Sequence, residues 1–163
     1  MRTRLAATLG GLTLVTSVLA WQLAIAPTGA AKPGVQVIRL EEHSEDDTGA
    51  YIDVGKEGVT TGDYFPIVDP LFRLGGEVQI GRTTGNCMIL EAHPETQTSI
   101  QECWFSFDLP GGIITAQGPL DFSEPGPYSL AITGGTGRFQ AAQGTLKVGG
   151  GEQGATFTFK LLR

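Results

Sequence analysis

The chain has 163 residues with 17 acidic and 11 basic side chains, which is enough for one domain with its own core. Its net charge of −6 and the lack of any basic cluster exclude a nucleic-acid partner, because phosphates need a positively charged face. Glycine supplies 24 residues, about twice its usual share of ~7%, and no 3.6-residue apolar period persists after residue 34, which favours an all-β domain.

The first 31 residues differ in character from the rest. Arg2 and Arg4 precede an uncharged apolar run over residues 5–26, and small residues follow it. This order predicts a secretory signal peptide, although 22 residues are also long enough for an N-terminal membrane anchor. Either alternative places the remaining domain, residues 32–163, outside the cytoplasm, as a secreted or a membrane-anchored protein. That domain carries 9 basic and 17 acidic residues, a net charge of −8.

Short alternating runs separated by Gly, Pro and Asp follow, and they predict eight strands. These span residues 35–43, 63–74, 77–92, 98–109, 113–122, 128–133, 138–148 and 155–162. Eight strands with short connections predict an eight-stranded antiparallel β-barrel, which has no open edges and has room for side chains or one small ligand. The one long connection, residues 44–62, is acidic and polar. We expect a solvated loop there, with a lid as the alternative.

The only two cysteines, Cys87 and Cys103, flank the turn segment HPETQT at residues 93–98. A hairpin centred on Glu95 pairs the two positions, because each lies eight residues from that centre. Cross-strand Cβ separations of ~4.5–5.5 Å permit a disulfide, and an oxidising compartment favours it. We predict this bond; the alternative is two buried free thiols.

The stretch ITGGTGRFQAAQGTL, residues 132–146, contains a GGTG sequence that is typical of either a phosphate-binding loop or a tight turn. A phosphate loop must open a helix, yet the following region is rich in glycine, and Leu146 and Val148 alternate with polar residues as in a strand. We therefore predict a turn that binds no nucleotide, and we expect no cofactor. The two histidines and scattered acids form no spaced ligand set, so we also expect no metal.

Three segments, GDYFPIVDPLF (62–72), GRTTGNC (81–87) and ITGGTGRFQAAQG (132–144), resemble landmarks of the allene oxide cyclase and dirigent family of barrels, in the family's order. The resemblance implies an eight-stranded barrel, often a homotrimer, with a mostly apolar pocket inside. Members of this family cyclise an unstable fatty-acid epoxide or steer radical coupling, and bacterial relatives include cyclases of natural-product pathways.

The resemblance also implies site residues. A glutamate and an asparagine on the first strand, an asparagine on the second and a cysteine on the third line the plant pocket, and the nearest matches here are Glu41, His43, Asp69 and Cys87. Glu41, His43 and Asp69 are therefore the catalytic candidates, with histidine and aspartate in place of two asparagines. Glu41 and His43 share a strand face, and inside an apolar barrel they would act as acid and base; at the strand's end they would face water. A slip of one residue turns both to the opposite face.

Four apolar residues share strand parity with the cysteines, and we expect them to line the ligand pocket: Ile89, Phe105, Phe107 and Leu109. The expected function is to bind a small apolar metabolite inside the barrel and to promote its cyclisation or isomerisation. One alternative is a non-catalytic, dirigent-like protein that orients or carries an apolar intermediate, and another is a structural barrel with a filled interior. Contact with a membrane is expected only if the N-terminal segment is retained.

Overall fold

The computed structural model describes residues 34–44 and 50–162, so the predicted signal peptide or anchor lies outside the described residues. Eight strands form one closed antiparallel barrel in chain order, and the last strand pairs with the first. The strands are β1 (Val35–Glu42), β2 (Tyr64–Arg73), β3 (Gln79–His93), β4 (Thr98–Leu109), β5 (Gly112–Asp121), β6 (Tyr128–Gly135), β7 (Gly144–Gly150) and β8 (Ala155–Leu162). The predicted eight-stranded barrel is confirmed. In the part of the chain that the structure describes, no helix is long and apolar enough to span a bilayer.

Aromatic side chains fill the middle of the barrel. Phe107 of β4 and Phe157 and Phe159 of β8 are all buried, and the ring of Phe107 meets both of the others edge-on, at centroid distances of 4.9 and 4.8 Å. Edge-to-face contacts of this kind add stability to the burial of apolar area. Leu40 of β1 and Leu146 of β7 complete this layer, so the interior is solid at this level rather than open from end to end.

The disulfide predicted from the hairpin is present between β3 and β4. Cys87 lies directly opposite Cys103 in the strand register, with 4.1 Å between their Cα atoms, and the two sulfur atoms are bonded. No free cysteine remains. The bond closes a sequence separation of 16 residues, which stabilises the fold by about 3 kcal/mol in the chain-entropy model.

The predicted turn lies in the second half of the GGTG segment: Gly134 and Gly135 end β6, and a single 3₁₀ turn follows over Gly137–Phe139. Gly137 has a φ of +58°, and a side chain there would collide with the Gly111 carbonyl oxygen of the β4–β5 turn. The backbone N–H of Arg138 donates a hydrogen bond to that same oxygen at 2.8 Å. The predicted start of the seventh strand at residue 138 is wrong: β7 begins at Gly144, because the 3₁₀ turn and the short loop after it precede the strand.

Residues 50–62 of the long connection before β2 are mostly exposed, as expected for a solvated loop, and backbone hydrogen bonds join them to β2 and β3. Ile52 forms an antiparallel bridge with Tyr64, and the N–H of Gly62 donates to the carbonyl of Ile89 in β3 at 2.9 Å. Backbone hydrogen bonds therefore attach this segment to the start of β2 and to β3.

Candidate functional site

One end of the barrel opens into a cavity of about 760 Å³, which is within the usual size range of small-molecule sites. It lies where the odd-numbered strands end and the even-numbered strands begin. Its walls are mainly apolar and aromatic. The apolar lining includes Phe65, Pro66, Ile67, Cys87, Phe105, Leu120, Phe122, Tyr128, Val148 and Phe157. The aromatic layer of the core closes its inner end.

Two carboxyl groups, Glu42 on β1 and Asp69 on β2, lie on one wall of this cavity. Along β1, Leu40 and Glu42 are buried whereas Arg39 is exposed, so the even-numbered side chains face the interior. Glu42 is 8% exposed and Asp69 is 5% exposed. The register places Glu42 opposite Leu71, two residues after Asp69, which brings the two acids together across neighbouring strands.

The environment of Glu42 favours its neutral form. Burial and the negative charge of Asp69 raise the pKa of Glu42 from 4.5 to about 7, and the Ala155 backbone N–H and the nearby Thr83 hydroxyl offset this only in part. The Thr83 hydroxyl lies near enough to favour the charged form of Glu42 but makes no close hydrogen bond, and within the described residues Oε2 of Glu42 has no hydrogen-bond partner either. At neutral pH, Glu42 is therefore a carboxyl that both donates and accepts protons, with one oxygen uncommitted.

Glu41 and His43, two of the catalytic candidates, lie on the outer face of the barrel. Nε2 of His43 is 3.4 Å from Oε1 of Glu41, and the imidazole stacks on the ring of Phe72 with centroids 3.9 Å apart. Both residues line an outer groove of about 440 Å³, so the structure places them at the end of β1 facing outward, which is the alternative to an interior position. The first strand is offset by one residue from the expected register, and the interior glutamate is Glu42. The alternation of Leu40 and Glu42 with Arg39 was the sequence signal for it.

The four expected pocket residues lie at different depths along the barrel, and only one of them lines the cavity. Phe105 lines the cavity, whereas Phe107 and Leu109 are packed in the core below it. Ile89 is buried near the end of β3, where its backbone pairs with Asp63, and it does not line the cavity. Strand parity places a side chain on a face of the sheet, but it does not give the height along the barrel. Asp69 lies in the cavity, where its position on the second strand suggested.

Among the described residues, no three or more His, Cys, Asp or Glu side chains are grouped so as to hold a metal ion. The polar side chains that line the cavity are Glu42, Asp69, Ser44, Gln101 and the hydroxyl-bearing Tyr128, and Glu42 and Asp69 are its carboxyl groups. A carboxyl pair of this kind transfers protons and forms hydrogen bonds with polar atoms of a bound molecule.

Known proteins share this architecture. The chain is similar in structure to a pyocyanin demethylase, with 28% identity and a TM-score of 0.63 over 78% of this chain and 99% of that one. It is similar in fold to AbnU, an exo-specific intermolecular Diels-Alderase (17% identity, TM-score 0.59, 82% of this chain and 100% of that one). The pterocarpan synthase dirigent protein GePTS1 also shares the fold (15% identity, TM-score 0.56, 93% of this chain and 95% of that one). The profile described as "Allene oxide cyclase barrel like domain" matches residues 38–158, and the chain therefore belongs to the allene oxide cyclase-like barrel family.

Proposed function

We propose that this barrel binds a small, mostly apolar metabolite in its open end and promotes the cyclisation or isomerisation of that metabolite by proton transfer from Glu42. One observation carries the proposal: a buried carboxyl with a pKa of about 7 and an uncommitted oxygen lies on the wall of an apolar cavity. A general acid works best when its pKa is near the working pH, and such catalysis contributes about 10²- to 10⁴-fold in rate.

The two carboxyl groups have different roles in this proposal. Glu42 gives its proton to the substrate atom on which negative charge develops, and the carboxylate of Asp69 faces the positive charge that develops elsewhere. An isomerisation or cyclisation leaves the number of protons in the substrate unchanged, so Glu42 recovers its proton when the product forms. The apolar walls hold the substrate in its reactive conformation, which lowers the entropic part of the barrier.

The aromatic walls indicate the kind of substrate. Phe65 lies on one side of the cavity, and the T-shaped pair of Phe122 and Tyr128 lies at its rim, with centroids 5.2 Å apart. Aromatic walls favour flat, conjugated molecules through stacking. The similarity to a pyocyanin demethylase supports a compact aromatic substrate, and pyocyanin is the first compound to test.

The alternative function is dirigent-like: the cavity orients or carries an apolar intermediate, and another enzyme performs the chemistry. The same apolar walls support this reading, and so does the shared fold with a dirigent protein. The two functions differ in their dependence on Glu42. A carrier that works by shape needs no proton donor.

We further propose that the protein acts outside the cytoplasm and forms the homotrimer that the resemblance implies. The Cys87–Cys103 bond supports the location, because disulfides persist in oxidising compartments. Sedimentation analysis of the purified protein tests the trimer.

The test compares binding and turnover in the same variants. Pyocyanin binding is measured by the rise in melting temperature, and its conversion to an isomer of unchanged mass is followed by absorbance and chromatography. We expect Glu42→Gln to bind within a few-fold of wild type and to lose about 10²-fold or more in rate, whereas the outer-face control Glu41→Gln retains both. Asp69→Asn reports the role of the second acid. A product that forms at an unchanged rate in Glu42→Gln contradicts the proposed acid. Binding without turnover in wild type favours the carrier.

A further inference from the structure

The loop before β2 is held by a buried carboxylate. Asp63 has no exposed surface, and its two oxygens accept hydrogen bonds from the Tyr51 hydroxyl at 2.6 Å, the Val54 N–H at 2.7 Å and both the N–H and the hydroxyl of Thr60. These donors lower the pKa of Asp63 to about 2, with the Tyr51 hydroxyl as the largest cause. Four donors from three positions compensate the burial of the charge and fix the path of the loop.

The loop reaches the cavity through an aromatic contact. The ring of Tyr51 packs on the ring of Phe65 with centroids 5.1 Å apart, and Phe65 lines the cavity directly opposite Cys87 of the disulfide. The contacts run without a break from Asp63 to Tyr51, from Tyr51 to Phe65, and from Phe65 to the space that a ligand occupies.

We propose that Tyr51 and Asp63 determine the ligand specificity of the cavity, with Asp63 fixing Tyr51 and Tyr51 holding Phe65 in place. The inference rests on the proposed function, in that the cavity must be the ligand site. Residues 50–63 then form a fixed outer wall rather than a movable lid. A connection that only joined two strands would not need a fully buried carboxylate with four donors. A fixed Phe65 limits the width of the cavity, which selects compact aromatic ligands over bulkier ones.

The test measures selectivity, which a merely structural loop would not change. Two neutral fluorescent probes, the compact 1-naphthol and the bulkier N-phenyl-1-naphthylamine, are titrated into the full protein to give a ratio of dissociation constants. Tyr51→Ala removes the ring that holds Phe65, and we expect the ratio to shift by about 5-fold toward the bulkier probe, the scale of one aromatic contact. Tyr51→Phe keeps the ring but loses the hydroxyl that donates to Asp63, so we expect a shift in the same direction that is smaller than that of Tyr51→Ala. Val59→Ala, in the same loop with a side chain 46% exposed, is the matched control.

Asp63→Asn tests the buried carboxylate separately from the Tyr51 ring. We expect it to shift the ratio in the same direction as Tyr51→Ala and to speed hydrogen exchange at the Val54 and Thr60 amides, which donate to Asp63. If this variant does not fold, the comparison of Tyr51→Ala with Tyr51→Phe decides. An unchanged ratio in Tyr51→Ala, with both probes bound, overturns this inference alone. A wild-type protein that binds neither probe overturns the cavity as a ligand site, and this inference with it.

Discussion

Replacing Glu42 with glutamine should remove the pH dependence of stability near neutral pH. The pKa of Glu42 rises from its ordinary 4.5 to about 7 in the folded protein. Between these values the folded state holds a proton that the unfolded state has released. Stability therefore falls as the pH rises from about 4.5 to 7 and is constant above that range. Each pKa unit corresponds to ~1.4 kcal/mol, so the wild-type protein should lose about 3 kcal/mol across this range.

Other perturbed acids act in a different range. The pKa of Asp63 is lowered to about 2, and that of Asp121 is also lowered, mainly by the Ser123 hydroxyl. An acid whose pKa is lowered by folding stabilises the folded state at pH values above its unfolded pKa. This stabilisation is lost as the pH falls toward the pKa of the folded state, so these losses occur below about pH 4. Measurements between pH 5 and 8 therefore avoid the range in which Asp63 and Asp121 lose their contributions.

The assay is urea unfolding at half-unit steps from pH 5 to 8, with the midpoint and slope fitted at each step. Wild type should be most stable at the acidic end, and Glu42→Gln should be nearly flat. Asp69→Asn removes the neighbouring charge and should shrink the slope, whereas Glu41→Gln, on the outer face, should retain the wild-type profile. A flat wild-type profile, or a wild-type slope that survives in Glu42→Gln, would refute the assignment of the buried acid.

The remaining predictions concern the frame of the barrel and its export. Thiol titration of the denatured, unreduced protein should find neither Cys87 nor Cys103 free, and reduction should lower stability by about 3 kcal/mol; two titratable thiols would contradict the bond. Gly137→Val should destabilise the fold by several kcal/mol in urea unfolding, because of its positive φ and the nearby carbonyl, whereas Gly150→Ala, with open space around it, should be nearly neutral. The intact mass of the exported protein should match a chain that begins near Lys32. A mass that includes residues 1–31 would indicate a membrane anchor.

The sequence was sufficient for the architecture because the barrel follows from local signals. Alternating apolar residues mark the strands, and glycine, proline and aspartate mark the turns, so the strand order needs no long-range information. The disulfide was predictable for the same reason: Cys87 and Cys103 are equally distant from a turn that joins neighbouring strands. The start of β7 was not predictable, because the 3₁₀ turn at Gly137 forms through contacts with the β4–β5 turn, which is distant in the chain.

The site was predicted less well, since it depends on register and depth. The family resemblance favoured Glu41 and His43, but one residue of offset on β1 puts Glu42 inside instead. The perturbation of Glu42 comes from Asp69 on another strand, which no property of β1 alone reveals. The height of Phe107 below the cavity likewise depends on the stagger of neighbouring strands, which a period of two residues does not encode.

The division of the barrel into a packed middle and an open end explains how this fold hosts different chemistry. Phe107, Phe157 and Phe159 hold the strands together without contributing to the acid pair, so residues at the open end are free to change without loss of the frame. Proteins of this fold include a demethylase, a Diels-Alderase and a dirigent protein, which is consistent with function being placed in a few inward side chains rather than in the fold. In the function that we propose for this chain, those side chains are Glu42 and Asp69, and the barrel raises the pKa of Glu42 by enclosing it beside a second charge. The activity of this protein should therefore follow changes at these two positions, whereas its folding should follow changes in the aromatic layer beneath them.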